Sequence, residues 1–453
     1  MLVEYLPLLM LITLAVLLFT GFPVAGILAG VAIGFALLGV AIDEFPVQSL
    51  YLFPDRVYNA VGENLVYPAV PMLLFMGVAL EKSGAARELL LCLQRLFSWI
   101  PGSMCISVIL VGLLLAPMAG VVGASVATIT LAALPTMLAQ RYRPEVATSA
   151  IAAAGTLGVI APPAIMLFFL SDALEATIAT VFLAPILPIR VLAAIFIVYF
   201  VLMDMIRPRS PVEEPPELAS HSIVVYVLRS LVLPVGLIVL VLGAIITGVV
   251  APSEAAAVGA VGAAILIFVY RGFDFSLLLD ALFRTMSITA MVFFVVLAAT
   301  VFSLVFRFYG GDDIAIGFFE GLALSDFSTL LIVLLILFIL GFFIDWIEII
   351  LVSLPILYPV IRELDFAAYV GSASLAKVWI AALIALVLQT SFLTPPFGFA
   401  LFFLKGSAPP EISMMQIYRG AAPLVMLQLI VITLVLFVPD IAIWLPSNAL
   451  GFR

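Results

Sequence analysis

Two proline pairs, each set inside a long apolar run, constrain this chain more than any other feature. The first lies in Gly158-Val159-Ile160-Ala161-Pro162-Pro163-Ala164 and the second in Leu393-Thr394-Pro395-Pro396-Phe397-Gly398. A proline removes a backbone donor and clashes with the preceding turn, and it pushes the residue before it out of helical geometry. In lipid, such a break is tolerated only where protein or a water-filled cavity satisfies the freed backbone groups. Two breaks at corresponding positions of two halves are the pattern of a transporter whose binding site sits near the bilayer midplane. Read from the residues alone, simple kinks remain the alternative.

The lipid setting follows from composition. The chain is 66% hydrophobic and 10% charged over 453 residues, with a mean hydropathy of +1.36. A span needs about 20 apolar residues, and the chain offers about eleven such stretches, so an all-α polytopic membrane protein is expected. The formal charge of −9 gathers in a few loops and implies no nucleic-acid partner. Cys92 and Cys105 form no disulfide framework or metal cluster, and the lone His221 lies in the most polar loop. There is no Gly-x-x-x-x-Gly-Lys-Ser/Thr loop, His-Glu-x-x-His or Gly-x-Ser-x-Gly. ATP-driven transport, enzyme activity and a resident cofactor are therefore not expected. Leu6 onward, with no Lys or Arg before it, reads as a retained first span rather than a cleaved signal.

The halves read as a repeat, 1–204 and 228–453, joined by a Pro- and Glu-rich polar linker at 205–227. Sliding one half over the other superposes Pro23 on Pro252, Leu134-Pro135 on Leu354-Pro355, and Pro162-Pro163 on Pro395-Pro396, at offsets that agree within a loop length. Breaks are expected near 120–128 and 158–164, and again near 341–348 and 393–398. Spacing does not settle whether the halves are inverted.

Asp345 and Glu348 interrupt an apolar run at Gly341-Phe342-Phe343-Ile344-Asp345-Trp346-Ile347-Glu348. A charge at the bilayer centre costs at least about 2.5–3.5 kcal/mol, so an intramembrane carboxylate is a functional candidate; an interfacial position is the alternative for both, the stronger one for Glu348. The matching first-half element, Gly120 to Thr128, supplies Gly123, Ser125 and Thr128. Their hydroxyls either ligate or bond back to a helix. Broken-helix carbonyls with Ser, Thr or Asp oxygens suit a hard cation, sodium being the natural candidate. Half-helix N-termini at the breaks favour an anion. Glu254, two residues after Pro252, reads as a helix-start carboxylate. Arg307 and Lys405 read as snorkelling cations, and Asp312-Asp313 as a loop.

Gly-Ala-Ser-Val-Ala-Thr (123–128), Ala-Gly-Thr-Leu-Gly (154–158) before Pro162-Pro163, Gly-Phe-Phe-Ile-Asp-Trp-Ile-Glu-Ile (341–349) and Leu-Gln-Thr-Ser-Phe-Leu-Thr-Pro-Pro-Phe-Gly-Phe-Ala-Leu-Phe-Phe-Leu-Lys-Gly (388–406) resemble the large membrane subunit of tripartite ATP-independent periplasmic (TRAP) transporters. The resemblance covers nearly the whole chain. It implies two inverted repeats, with a scaffold and a mobile domain that carries two re-entrant hairpins and slides like an elevator. It implies a sodium-coupled importer of an organic acid (a C4-dicarboxylate, a 2-oxo acid or a related carboxylate) in the bacterial inner membrane, working with a small four-helix membrane subunit and a periplasmic solute-binding protein. A stand-alone sodium/anion symporter and a non-transporting scaffold subunit are the other classes.

On that reading one sodium site uses Gly123, Ser125, Thr128 and carbonyls from Gly158 to Ala161, and the other uses Gly341, Asp345 and Thr394. The substrate lies among Ser125, Pro162, Pro163, Thr394, Pro395 and Pro396. Ala124, Ala161 and Ala164 stand where the family often has other residues, a serine at the first and last, so that the first site either leans more on backbone carbonyls or binds sodium less tightly.

Overall fold

Helices break where the prolines demand it. The computed structural model describes residues 5–64, 67–115, 122–206, 227–395 and 398–450, and all regular elements among them are helical. The polar linker, apart from its ends, lies outside the described residues, as does His221. Among the described residues, eight helices are long and apolar enough to cross a membrane, or ten if two bent pairs each count as one span. Ala69–Ser83 meets Ala85–Leu96 at 65°, and Pro144–Ile160 meets Ile165–Ala173 at 44°. The first bend sits on Gly84, whose φ of +82° is readily reached only without a Cβ. The second is the first proline pair.

Helix starts carry the expected chemistry. The Glu254 carboxylate accepts from the Ala251 N–H at 2.8 Å, as anticipated for a helix beginning at Pro252. Ser413 and Gln416 cap each other's backbone ahead of Met414–Phe437. Asp274 accepts from the N–H groups of Ser276 and Leu277 and so starts Phe275–Phe308 earlier than its apolar part alone suggests. Two readings are corrected. Asp312 and Asp313 lie in the first turn of helix Gly311–Gly321, not in a loop; a carboxylate there meets the positive helix end, and Arg307 pairs with Asp312 at 3.4 Å. Lys405 does not snorkel freely, because its ammonium donates to the carbonyl of Ile412 at 2.6 Å.

The later part of each half runs through the same order of elements, a hairpin of short arms, a broken helix and a closing helix. The first hairpin comprises Ser103–Leu115 and Val122–Ala139. The second comprises Asp326–Leu340 and an arm from Trp346 to Glu363. That arm passes through a π-helical turn, Ile349–Ser353, just before Pro355 withdraws the donor that Leu351 would use. The broken helices are Pro144–Ile160 with Ile165–Ala173, and Ala373–Ser391 with Phe399–Ser407.

The broken helices form the core. Ala373–Ser391 is 83% buried, against 28–50% for the other seven spans, and every residue from Ala147 to Ile160 is buried. Small residues allow the close approach, as is usual where lipid supplies no hydrophobic drive between helices. A Cβ on Gly112 of the first hairpin would stand 2.2 Å from the Ala154 carbonyl oxygen, and one on Gly155 would stand 2.4 Å from Val126 Cγ2. Around this core, Val24–Ala41 packs on Phe275–Phe308, and Ala69–Ser83 on Pro252–Arg271.

Candidate functional site at the paired helix breaks

Each half's broken helix meets the other half's hairpin. The Phe399–Ser407 half-helix packs against the Val122–Ala139 arm, where a Cβ on Gly123 would stand 2.6 Å from the Phe403 ring. Reciprocally, Ile165–Ala173 packs against the second hairpin, with the Phe169 and Trp346 rings 6.1 Å apart. Backbone conformation explains the openings. Ala161 turns extended, and its N–H reaches back to the Gly158 carbonyl at 3.2 Å. Pro163 stands where the helical donor for Val159 would be and has no N–H. At the second break, Ala400 N–H donates across the gap to Phe392 at 3.2 Å. Residues 160, 161, 163 and 164 are buried, so protein rather than lipid surrounds the first opening.

Of the second set, Gly341 is the residue seated against the second broken helix. Gly341 ends the Asp326–Leu340 arm so close to the second broken helix that a Cβ there would stand 2.0 Å from Ser391 Oγ. Thr394 follows three residues later, its hydroxyl donating to the Thr390 carbonyl at 2.8 Å. Asp345 begins the next arm and accepts from the Trp346 N–H at 2.8 Å. Pro395 lies at this break, and Pro396 lies outside the described residues. Pro162 and Pro163 sit at the first.

The first set divides over two helix faces. Gly123 faces Phe403, whereas Ser125 and Thr128 line a small cavity with Glu81 of the Ala69–Ser83 helix. The Thr128 hydroxyl donates to Glu81 Oε1 at 2.9 Å, and Arg284 Nη1 stands 3.2 Å from the same oxygen. At about 100° per residue, positions 125 and 128 share a face and 123 does not. Thr128→Val is therefore expected to leave the sodium requirement of uptake unchanged and to cost about 1 kcal/mol of stability. A sodium titration of uptake and thermal unfolding in detergent check this; a raised sodium requirement would instead make Thr128 a ligand.

Glu81 and Arg284 escape a motif-based reading because each looks like a span-end charge. Gln389 was also missed as a site residue. It is fully buried six residues before the second proline pair, and neither amide atom has a partner among the described residues. A glutamine in the interior of an apolar helix was the available signal. Glu348 turns a buried carboxyl oxygen, unpartnered among the described residues, into an apolar cavity of about 250 Å³ against helices Leu6–Leu18 and Val24–Ala41.

A family model described as "Tripartite ATP-independent periplasmic transporter, DctM component" matches residues 11–441. The chain is 28% identical to the ectoine/5-hydroxyectoine TRAP transporter large permease protein UehC of Ruegeria pomeroyi, covering 97% of this chain and 98% of the relative. It is 27% identical to the sialic acid large permease protein SiaM of Vibrio cholerae (94% and 96% covered). It is 26% identical to the C4-dicarboxylate large permease protein DctM of Pseudomonas aeruginosa (88% and 91% covered). Among solved structures, the Alcanivorax borkumensis YdaH transporter shares the fold, with a TM-score of 0.59 at 13% identity over 90% of each chain.

Proposed function

The chain belongs to the DctM-component family of tripartite ATP-independent periplasmic transporters, and from that premise we propose that it imports a carboxylate cargo coupled to sodium. It would work in a bacterial inner membrane with a small membrane subunit and a periplasmic solute-binding protein. The observation that carries this reading is the pair of helix breaks, each apposed to the opposite half's hairpin, the first of them enclosed by protein. Carbonyls that lose their helical donors offer hard oxygen ligands for sodium. The half-helices Ile165–Ala173 and Phe399–Ser407 present their positive ends at the breaks, which favours a carboxylate. The ectoine, sialic acid and C4-dicarboxylate named for the relatives each bear a carboxylate and otherwise differ in shape. The cargo is therefore assigned by class only.

Sodium would lie among Gly123 and carbonyls from Gly158 to Ala161 at one break, and among Gly341, Asp345 and Thr394 at the other. The cargo carboxylate would lie between them, near Pro162, Pro163, Pro395 and Pro396. The repeats would be inverted, and the hairpins and broken helices would slide as one body against a frame that includes Val24–Ala41, Ala69–Ser83, Pro252–Arg271 and Phe275–Phe308. This division is supported by packing, because the frame helices pair with one another and the hairpins pair with the broken helices. Each sodium entering gains about 2.3 kcal/mol per 100 mV.

The test is uptake of radiolabelled succinate, sialic acid and ectoine into proteoliposomes that hold this chain, its small subunit and its binding protein. At least one cargo is expected to accumulate only with all three proteins and an inward sodium gradient. Equal uptake with choline in place of sodium would sink the coupling, and uptake without the binding protein would make the chain a stand-alone symporter.

A further inference from the structure

A second polar chamber lies away from the proline pairs. It is a cavity of about 490 Å³, within the usual range for small-ligand sites. Its walls come from helix Leu52–Val61, the long helix Phe275–Phe308, half-helix Ile165–Ala173 and the arm of the second hairpin. Two guanidinium groups line it, Arg56 and Arg307, together with the Ser303 hydroxyl.

One carboxylate, Asp172, also lines it. That carboxylate is already occupied, accepting from the Tyr67 hydroxyl at 2.9 Å and from the Asn64 amide at 3.3 Å. Arg307 engages Asp312 through Nε at 3.4 Å, which leaves its Nη donors. None of the ion pairs among the described residues includes Arg56.

The geometry points to a carboxylate-binding antechamber, in which Arg56, Arg307 and the Ser303 hydroxyl hold an anionic cargo before or after its passage through the breaks. The choice of carboxylate over other anions rests on the import reading; the charge of the chamber does not. Guanidinium forks match carboxylates in two-point geometry, and the two guanidinium charges outnumber the one carboxylate that lines the chamber, which favours an anion over a cation. Arg307 stands on the proposed frame and Arg56 on helix Leu52–Val61, which packs on the frame helix Phe275–Phe308, whereas Asp172, Phe169 and Ile350 stand on the half-helix and hairpin. A sliding domain would therefore carry one wall of the chamber past a fixed pair of cations. Phe169 lines the chamber and also meets Trp346, the neighbour of Asp345, so the chamber adjoins the start of the second hairpin's returning arm.

The experiment places one cysteine at Ser303 in a Cys92→Ala/Cys105→Ala background, in membranes that also contain the small subunit. Its labelling by a sulfonate-bearing methanethiosulfonate is compared with labelling by a trimethylammonium-bearing one, each normalised to a free thiol. The anionic reagent is expected to win by roughly 10-fold. Arg56→Gln should bring the ratio toward one, and Arg56→Lys should restore it in part. Sodium succinate should slow the labelling more than sodium chloride of equal ionic strength. The inference is overturned by an unreactive Ser303→Cys, by a cationic reagent that labels as fast, by a ratio indifferent to Arg56→Gln, or by chloride protecting as well as succinate. Labelling needs no flux, so failed sodium-driven uptake with intact anion preference would sink the import reading and leave the chamber standing.

Discussion

Replacing Gly112 by alanine is expected to destabilise the protein by about 3 kcal/mol and to abolish uptake. The added Cβ would meet three backbone atoms of Ala154, at 2.2 Å from its oxygen, 2.5 Å from its carbonyl carbon and 2.6 Å from its Cα. A side-chain tip could swing aside, but helix backbone inside a fully buried segment cannot. The first hairpin must therefore lift from the broken helix, and overpacking of this kind typically costs about 1–3 kcal/mol, sometimes more. Gly155 on the facing helix is pinned in turn against Val126, so displacement of one arm disturbs the other. Gly30→Ala is the matched control, because a Cβ there meets nothing within 4 Å. It removes a helix-interior glycine that costs about 0.5–1 kcal/mol relative to alanine, so it should be neutral or mildly stabilising. Thermal unfolding in detergent, run beside reconstituted uptake, separates the two. Equal stability and equal uptake for the pair would mean that the hairpin does not seat on the broken helix through Gly112.

Asp345→Asn should leave the fold intact and raise the sodium concentration for half-maximal uptake by roughly 100-fold, equivalent to about 2.7 kcal/mol. Asparagine caps a helix about as well as aspartate, and its side-chain oxygen can still accept from the Trp346 N–H, now at 2.8 Å. The substitution thus removes the negative charge and spares the local geometry. A unit charge near an ion in a partly buried setting is worth several kcal/mol, which is why the effect should dwarf that of losing a hydroxyl ligand such as Thr394. The measurement is a sodium titration of uptake at fixed cargo, with unfolding temperature as the folding control. An unchanged half-saturation and maximal rate would take Asp345 out of the cation site.

Local chemistry determined much of this protein. Long apolar runs required lipid, and proline pairs required breaks. Breaks in lipid required enclosure, and Pro252 with Glu254 marked a helix start; the apolar spans, the buried first break and the capped helix start appear as expected. The Thr128–Glu81 bond, the seating of Gly341 on Ser391, the two arginines of the chamber and the packing of each half-helix on the opposite half's hairpin came only from the tertiary structure. The reason lies in the solvent. In water a helix shows which face is buried by its apolar stripe, but lipid is as apolar as the protein interior, so these helices are apolar all round and rotation about their axes leaves little trace in residue pattern. Which residues meet is then decided by close packing of small side chains between segments far apart in the chain, a property of three-dimensional fit rather than of any local run of residues.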